Sequence, residues 1–318
     1  MIEEITKIIY SYPYNPYRKY RIIPKEQRQR LLSKKIEGLR NKKNVWFIEE
    51  KRKNQIIGLI SLEKLNWDTK HFGIPMGSIE YLLTKMDLDY KEDLEAKDKL
   101  VKEVLRLTKK HRIKHLTCRI DCADHAAICA LQQNGFYLMD TILTHIFTQK
   151  HNIPQTKDLY KVREAKKEDL PILMDIARSS FRNSRFHHEP YLSLTRSDEV
   201  YAEWIKNALY KKVAGLVLVA EKSKYPIGFF ACKEDEEMFS YIGVRCLSRG
   251  LAACLQEEKG AYISLLKNAI CIGKKVMEVD MGEFMTQIYN YSVIRTYQKF
   301  GMDLVKIRHV FHKIIKEI

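Results

Sequence analysis

Several features that would place the chain in a common protein class are missing from its sequence. None of the seven cysteines forms a CxxC pair and their number is odd, which favours free thiols in a reducing compartment over disulfides or a zinc site. No apolar run approaches the roughly 18 residues that a membrane-spanning helix needs. The first residues, MIEEITK, do not form a signal peptide. These absences predict a soluble, cytoplasmic protein.

Motifs of several enzyme classes are also missing. The chain has no Walker loop, HExxH, GxSxG or EF-hand loop, which excludes the common NTPase, metalloprotease, hydrolase and calcium-binding readings. Glycine is scarce, with 13 residues, and none occurs between Gly77 and Gly135. A phosphate-binding turn needs backbone N–H groups at a helix start that side chains do not obstruct. The first half of the chain therefore lacks a candidate for such a turn.

The chain is rich in positive charge. It has 56 Lys and Arg against 40 Asp and Glu, a formal net charge of +16. A basic surface attracts nucleotides, phosphorylated cofactors, acidic carrier proteins and RNA. The lysines are spread along the whole chain without a block of five or six adjacent basic residues, so solvated lysine-rich faces explain the charge equally well. Nucleic-acid binding is not favoured.

Two stretches of the sequence resemble each other. Residues 124–147 and 290–311 align when Gly301 is placed on Gly135, and each stretch ends in His-Ile-Phe or His-Val-Phe. The length of 318 residues also suggests two domains. We therefore predict a tandem repeat.

Each half is predicted to run strands, helix, strand, helix, strand. The pattern predicts an α/β (α+β) fold with two mixed-sheet domains. A polar, proline-containing segment separates them, which gives a first domain at 1–150, a linker at 151–158 and a second domain at 159–318. The predicted elements include a hairpin over 45–65, a helix over 91–112, a strand over 115–121 and strand-like stretches at 239–247 and 276–282.

The repeated helix, glycine and strand resemble the ending of the GNAT acyltransferase superfamily. The segments FRNSRFHHEPYLSLTRSDEVYAEWIKNAL (181–209) and LNWDTKHFGIPMG (65–77) narrow the resemblance to the TDP-fucosamine acetyltransferase group, amino-sugar N-acetyltransferases with two GNAT-like units. The resemblance covers most of the chain and is weakest over the first 40 residues. It implies transfer of an acetyl group from acetyl-CoA to a small-molecule amine, such as a nucleotide-linked amino sugar, without a metal.

The resemblance assigns the general acid to Tyr297, which would protonate the leaving thiolate; a phenol with a pKa of about 10 suits this task. The alternative for Tyr297 is ordinary packing. The aligned residue of the first half is Leu131, which cannot donate a proton. We therefore infer that the first, degenerate unit has lost donor binding and serves as a scaffold. Glu283 is a candidate base, and a chain of water molecules is the alternative.

The donor site is expected around the turn EEKGAYIS, residues 257–264. The family pattern there is Arg/Gln-x-x-Gly-x-Gly/Ala, so Glu257 and Tyr262 depart from it. Tyr262 would crowd the pyrophosphate and Glu257 would repel it. Three readings stay open: coenzyme A bound by the backbone, a donor on an acyl carrier protein, or no donor. The predicted donor-binding residues are Leu251, Ala252, Ala253, Lys259, Gly260, Ala261, Tyr262, Ile263, Ser264, Thr286, Gln287 and Asn290.

Asn290 opens the helix that carries Tyr297, where the resemblance implies a contact to the cofactor. A plain helix N-cap is the other role, and the two roles are compatible.

The acceptor is expected to contact a loop of the second half and a segment of the first. Arg185 can bind a phosphate with two hydrogen bonds, and His187 can act as a base or a hydrogen-bond donor, unless it only caps or lies at the surface. Trp67 and Phe72 can stack on a base or sugar, or anchor the domain interface. The predicted acceptor-binding residues are Trp67, Asp68, Phe72, Arg182, Arg185 and His187.

Three functions compete at this point. The first is N-acetyl transfer from acetyl-CoA. The second is acyl or aminoacyl transfer from an acidic carrier protein or a charged tRNA, which the net charge would suit. The third is a GNAT-like protein that binds a ligand without turnover. The sequence does not decide between a monomer and a homodimer.

Overall fold

The computed structural model describes residues 2–155, 158–182, 184–210 and 213–315, with all side chains except those of residues 2, 3 and 249. Contacts divide the chain into two compact units. Unit 1 comprises the residues up to Ile142 and those from Lys306 onward, and unit 2 comprises Leu143–Val305. No helix in the described part of the chain combines the length and the apolar character needed to cross a membrane.

Unit 1 is a mixed sheet with five helices. Its elements are α1 (Ile2–Ser11), α2 (Lys25–Arg40), β1 (Val45–Arg52), β2 (Gln55–Lys64), α3 (Asn66–Phe72), β3 (Met76–Ile79), β4 (Leu82–Thr84), α4 (Tyr90–Lys110), β5 (His115–Asp121), α5 (His125–Gln133) and the first half of β6 (Tyr137–Thr148). β1, β2, β3 and β5 are neighbours in this order, and β4 pairs with β2. The next neighbour of β5 in this order is β12 (Asp303–Ile314), which comes from the end of the chain. It pairs antiparallel with β5 from Arg308 to Ile314.

Unit 2 repeats this order of elements. After the second half of β6 come β7 (Lys161–Glu164), a 3-10 turn (Lys167–Asp169), α6 (Leu170–Ser180), α7 (Leu194–Leu209), β8 (Leu216–Lys222), β9 (Tyr225–Glu234), α8 (Glu236–Ile242), β10 (Cys246–Cys254), α9 (Ala261–Lys275), β11 (Met281–Gln287) and α10 (Tyr291–Lys299). The strand order is β6, β11, β10, β9, β8, β7. Two helices follow the first strand here, as α1 and α2 precede β1 in unit 1.

The unit boundaries differ from the predicted domains of 1–150 and 159–318. β6 and β12 each pass from one compact unit to the other, so the division falls after Ile142 and after Val305. Strand pairing over such sequence separations leaves no local signal, whereas composition marked only the polar segment 151–158. Thr156 and Lys157 of that segment lie outside the described residues.

One short helix replaces a predicted extended segment, and a second lies where no element was predicted. The stretch 239–247 was expected to be a strand, but α8 occupies its first half and β10 starts at Cys246. Asp235 caps α8 by accepting the Met238 N–H, and Gly243 ends the helix with a left-handed φ of 72°. In unit 1, α3 ends in the same way at Gly73, with φ 70°. The predicted strand at 276–282 is also displaced, because β11 begins only at Met281.

The central strands of unit 2 are buried on both faces. Along β8, Leu216, Leu218 and Ala220 join the apolar cluster under α9 and α10. Val217 and Val219 point the other way and pack under α6 and α7. This alternation follows from the two-residue repeat of a strand. The sheet therefore separates the helices that carry the predicted donor site from those that border the predicted acceptor loop.

Candidate active site

The parallel strands β10 and β11 pair only where they begin. Cys246 pairs with Met281 and Leu247 with Gly282, and the described residues record no further pair between these strands. β10 stays paired with β9 as far as Cys254, after an irregularity between Ser248 and Leu251. The edge of β10 that faces β11 therefore carries backbone groups that no ladder uses, as at a sheet edge. Such a groove accepts an extended amide-containing group.

The predicted residues Leu251, Ala252 and Ala253 lie on this stretch of β10, and Thr286 and Gln287 end β11 beyond its paired residues. Thr286 is buried and Gln287 is half-buried. Both sides of the groove thus carry residues that the sequence assigned to the donor.

The N-terminus of α9 offers free backbone donors. The Ala261 N–H donates to the Glu258 carbonyl at 3.2 Å, as expected of a turn. The Ser264 N–H donates to the Gly260 carbonyl at 3.1 Å. The N–H groups of Gly260, Tyr262 and Ile263 have no hydrogen-bond acceptor among the described residues. Unpaired N–H groups and the helix dipole make such an end attractive to an anion.

Gly260 is favoured by its backbone conformation. Its φ of 90° lies in the left-handed region. A Cβ built there would lie 2.6 Å from Cδ1 of Leu159, a side chain that is 71% exposed.

The acidic residues of the turn differ in their surroundings. Glu258 accepts hydrogen bonds from Lys222 Nζ and Tyr160 Oη, both at 2.9 Å, and these bonds lower the pKa of Glu258. Glu257 and Lys259 are exposed, so water screens both charges at the turn.

Tyr297 lies inside the apolar cluster of unit 2. Its side chain is 2% exposed, and its ring centroid is 4.9 Å from that of His145 and 6.2 Å from that of Phe284. Burial raises the pKa of Tyr297 above its ordinary value of 10.0. The phenol is therefore protonated near neutral pH and can donate its proton.

Tyr262 points into unit 2. Its hydroxyl donates a hydrogen bond to the Tyr297 hydroxyl at 3.0 Å, and its ring centroid is 6.4 Å from that of Phe230. Burial and the neighbouring Tyr297 raise the pKa of Tyr262. The ring therefore packs inward, and the Tyr262 N–H has no acceptor among the described residues.

His145 was not predicted as a site residue. It is 4% exposed, and its Nδ1 is buried without a hydrogen-bond partner among the described residues. Burial lowers the pKa of His145 from 6.5 to about 4, so the imidazole is neutral. The repeated His-Ile-Phe and His-Val-Phe stretches could have drawn attention to it.

The burial of His145 makes stability depend on pH. The folded pKa of about 4 lies below the ordinary 6.5, so the unfolded chain binds more protons between these values and stability falls as the pH drops through this window. His145→Phe should reduce the loss of unfolding free energy over this pH range by on the order of 1–2 kcal/mol. We expect the variant's melting temperature to fall less than that of the wild type between pH 6.5 and 4. His125→Phe, at an exposed position, is the control, and equal slopes in all three proteins would refute the assignment.

Asn290 is an N-cap. Its Oδ1 accepts the Val293 N–H at 3.4 Å and the Ser292 hydroxyl at 3.2 Å. Its Nδ2 has no partner within the described part of the chain. The capping role expected for Asn290 is therefore present, and the amide nitrogen can still donate.

Glu283, the candidate base, is the third residue of β11. Phe284 belongs to the apolar cluster around Tyr297. Because neighbouring side chains of a strand point to opposite faces, Glu283 lies on the face opposite to Phe284. Glu283 and Tyr297 are thus on different sides of the sheet.

The predicted acceptor loop joins α6 and α7. His187 is bound through both nitrogens, to Ser184 Oγ at 2.8 Å and to Asp198 Oδ1 at 2.9 Å. These contacts anchor the loop to α7, so the expected role of His187 as a base would require it to leave them. Arg182 is exposed. The guanidinium of Arg185 lies 4.1 Å from the ring centre of Phe186.

The loop approaches the end of β11. The ring of His188, which is exposed, lies 6.5 Å from the ring of Tyr289, just after that strand. The loop therefore borders the end of the groove between β10 and β11 that holds Thr286 and Gln287.

The other predicted acceptor residues belong to α3 of unit 1. Trp67 is 45% exposed and stacks on His71, with ring centroids 5.0 Å apart. Phe72 is buried in unit 1, and Asp68 lies in the first turn of α3. Trp67 is thus available to solvent, whereas Phe72 packs within its own unit.

The described residues of unit 1 lack a counterpart of the anion-binding turn. β3 and β5 pair over four residues, from Met76 with His115 to Ile79 with Cys118, and β4 then pairs, among the described strands, with β2 alone, so the strands part in unit 1 as well. At the start of α4, the Asp89 side chain accepts the Glu92 N–H and the Glu92 side chain faces the Asp89 N–H, which places two carboxylates where an anion would bind. Leu131 is fully buried.

A buried ionic network lies beside α4 and α5 of unit 1. Lys97 and Asp124 are fully buried and form an ion pair of 2.7 Å, and Lys97 also pairs with Asp93 at 2.9 Å. Tyr12 donates to Asp124 at 2.7 Å. Burial and Asp124 raise the pKa of Tyr12. Asp124 aligns with Asn290, so the residue that unit 1 has at the position of a proposed cofactor contact belongs to a buried ionic network.

Comparison with known proteins gives one curated relative and many structural neighbours. The chain is 25% identical over 198 residues to the spore coat polysaccharide biosynthesis protein SpsD of Bacillus subtilis (strain 168). The match covers 61% of this chain and 64% of that protein, so it spans just under two thirds of the relative's length. None of the protein-family models compared with the chain matches it.

Two of the solved structures that resemble the chain are GNAT proteins that align over nearly its whole length. A GCN5-related N-acetyltransferase from Sphaerobacter thermophilus has a TM-score of 0.61 at 14% identity and covers 99% of this chain and 92% of its own. A tandem GNAT protein from the clavulanic acid biosynthesis pathway has a TM-score of 0.55 at 10% identity and covers 100% and 95%. The chain therefore has the mixed α/β fold of the GCN5-related N-acetyltransferases.

Proposed function

We propose that the chain is an N-acyltransferase that moves an acetyl group from acetyl-CoA to a primary amine of a nucleotide-linked amino sugar, and that unit 2 holds the donor. One observation carries the proposal. Unit 2 combines the open groove between β10 and β11, the unpaired N–H groups of α9 and the protonated, buried Tyr297. Among its described residues, unit 1 lacks the last two of these features, because Asp89 and Glu92 occupy the start of α4 and Leu131 aligns with Tyr297.

The transfer requires a neutral amine to attack the thioester carbonyl. The nitrogen–carbon bond forms as the carbon–sulfur bond breaks, and the sulfur leaves as a thiolate. Tyr297 gives its proton to this sulfur, since a buried phenol is a donor at neutral pH. The amine loses a proton to water or to Glu283, which lies on the face of the sheet opposite to Phe284. No metal takes part.

The donor fits the groove by its chemistry. The N–H groups of Gly260, Tyr262 and Ile263 would hold the pyrophosphate, with Lys259 as a nearby cation. Leu251, Ala252 and Ala253 would offer the edge of β10 to the amides of pantetheine. Asn290 Nδ2 and His145 Nδ1 are polar atoms without partners in the described structure, and each can bind an amide or phosphate group. Ala261, Ser264, Thr286 and Gln287 complete the proposed donor site.

The acceptor is proposed to enter beside the loop between α6 and α7. Arg182 and Arg185 would bind the phosphates of a nucleotide sugar. The named relative acts in polysaccharide biosynthesis, which favours a sugar amine over other small amines. His187 of the loop remains a proposed acceptor contact, whereas Trp67, Asp68 and Phe72 belong to unit 1 and stay predictions from the sequence.

A panel of acceptors tests this function. Purified chain is mixed with acetyl-CoA and with amino sugars that are free or linked to TDP or UDP, and thiol release is followed. We expect release with a nucleotide-linked amine and none with the same sugar bearing a hydroxyl in place of the amine. Mass spectrometry of the product should show one added acetyl group. Absence of thiol release across amines, although acetyl-CoA binds, would contradict amine acylation.

A carrier-bound donor is the second candidate, and Glu257 is the observation that favours it. A carboxylate in the turn disfavours the many phosphates of coenzyme A more than the single phosphate of a carrier's phosphopantetheine. The net charge of +16 also suits an acidic carrier protein. Faster acetyl transfer from an acetylated carrier than from acetyl-CoA, with strong inhibition by salt, would support this candidate.

A further inference from the structure

The feature that departs most from a standard donor turn is the second residue of α9. A small residue is expected there, and Tyr262 takes its place. Its ring has room because β10 presents Ala252 on the same face, opposite Phe230 of β9. The hydroxyl thereby reaches across from α9 to α10 and donates to Tyr297 at 3.0 Å.

The surroundings of Tyr297 make this hydrogen bond important. Once Tyr297 has given its proton to a thiolate, its oxygen is a phenolate in a site that is almost wholly closed to water. A buried charge without a donor is costly. Phe284 offers no hydrogen bond, and among the described side chains the structure shows none from His145 to Tyr297. Hydrogen bonds to an ionised oxygen are about twice as strong as neutral ones.

We infer that Tyr262 is a positioning residue for Tyr297: its hydroxyl orients the Tyr297 hydroxyl and stabilises the phenolate that forms when Tyr297 protonates the departing thiolate. The inference rests on the proposed function. The proton of Tyr297 ends on the sulfur, the proton lost by the amine goes to solvent, and the phenolate recovers one proton from solvent. Protons therefore balance over one turnover.

The pKa directions agree with this role. Burial raises the pKa of Tyr297, and the hydrogen bond from Tyr262 acts in the opposite direction. A hydrogen bond that favours the ionised form makes a phenol a better acid. Tyr262 therefore offsets part of the cost of burying the general acid.

Tyr262→Phe tests the inference, because it removes one oxygen and keeps the ring that packs against Phe230. We expect kcat to fall about 10- to 100-fold, the usual scale of a hydrogen bond to a charged group. KM and Kd for acetyl-CoA should stay within about twofold, because the bond strengthens only as the phenolate forms. Tyr225→Phe, which changes a tyrosine that is 55% exposed at the start of β9, should behave as the wild type.

A second readout does not depend on activity. With tyrosine labelled by carbon-13 at Cζ, the Tyr297 signal is assigned by its loss in Tyr297→Phe. It should shift in Tyr262→Phe, because the hydroxyl loses its donor, and stay unchanged in Tyr225→Phe. This spectrum reports on the pair even if no acceptor is turned over, so the hydrogen bond and the proposed function can fail separately.

Two results would overturn the inference. An unchanged kcat in a folded Tyr262→Phe variant would show that the hydroxyl does not assist Tyr297. Tighter binding of acetyl-CoA without a fall in kcat would show that Tyr262 obstructs the groove instead.

Discussion

Replacing Tyr297 by phenylalanine is expected to lower turnover by about 10²-fold or more, the usual scale for loss of a general acid. The variant keeps the ring that packs against Phe284 and His145, so the apolar cluster of unit 2 stays filled. It leaves the Tyr262 hydroxyl without its acceptor, which should cost about 0.5–1.5 kcal/mol. The fall in kcat should therefore far exceed the change in stability.

Steady-state kinetics and a melting curve check this result together. Tyr291→Phe is the matched control, because Tyr291 lies on the same helix and is 69% exposed. Affinity for acetyl-CoA should be similar in all three proteins. Turnover within about threefold of the wild type in Tyr297→Phe would remove the phenol from the mechanism, and a water molecule would then be the proton donor to test.

Replacing Lys97 by methionine should strongly destabilise unit 1. Lys97 and Asp124 are both fully buried, and the change leaves Asp124 and Asp93 without their cation. Breaking a buried ion pair from one side typically costs about 3–5 kcal/mol. Methionine fills most of the same volume, so the loss of charge pairing rather than a cavity should dominate.

Hydrogen exchange of peptides from α4 and α5 measures the local stability of unit 1. A melting temperature of the whole chain would combine the stabilities of both units. Lys102→Met is the matched control, since Lys102 is an exposed residue of the same helix that pairs with Asp98, and it should cost about 0.5 kcal/mol or less. Adding Asp124→Asn to Lys97→Met should recover part of the protection, because it removes an unpaired charge and keeps the cap of α5. Wild-type exchange in Lys97→Met would mean that the network does not stabilise unit 1.

The elements with marked ends could be predicted from the sequence. α5 and α10 each begin after an Asx cap and end before a left-handed glycine, Gly135 or Gly301. Both signals act locally, so they are visible without knowledge of the fold. α3 and α8 were missed because seven residues are too few to show a helical period, although Gly73 and Gly243 marked their ends.

Long-range pairing was not visible in the sequence. β6 and β12 were recognised as strands from their composition, but their partners lie far along the chain, and the compact units therefore begin and end within these strands. The direction of a side chain was also beyond local reasoning. Tyr262 points inward because Ala252 and Phe230 leave space for it, and that space exists only once β9, β10 and α9 have packed together.

The same limit applies to His145 and His187. The sequence singled out His187 because it lies in a loop rich in Arg and His, yet both of its nitrogens bind within that loop and α7. His145 lies in an apolar strand and was not predicted as a site residue, yet its ring lies beside that of Tyr297 and its Nδ1 has no hydrogen-bond partner among the described residues. Composition indicates where charges are, but the packing decides which polar atoms remain unpaired.

The central claim is that unit 2 alone holds an acyl donor, and titration calorimetry of the purified chain with acetyl-CoA at two salt concentrations tests it most directly. The account predicts one molecule bound per chain, with weaker binding at the higher salt because the turn holds phosphates. No binding, or two molecules bound per chain, would contradict it.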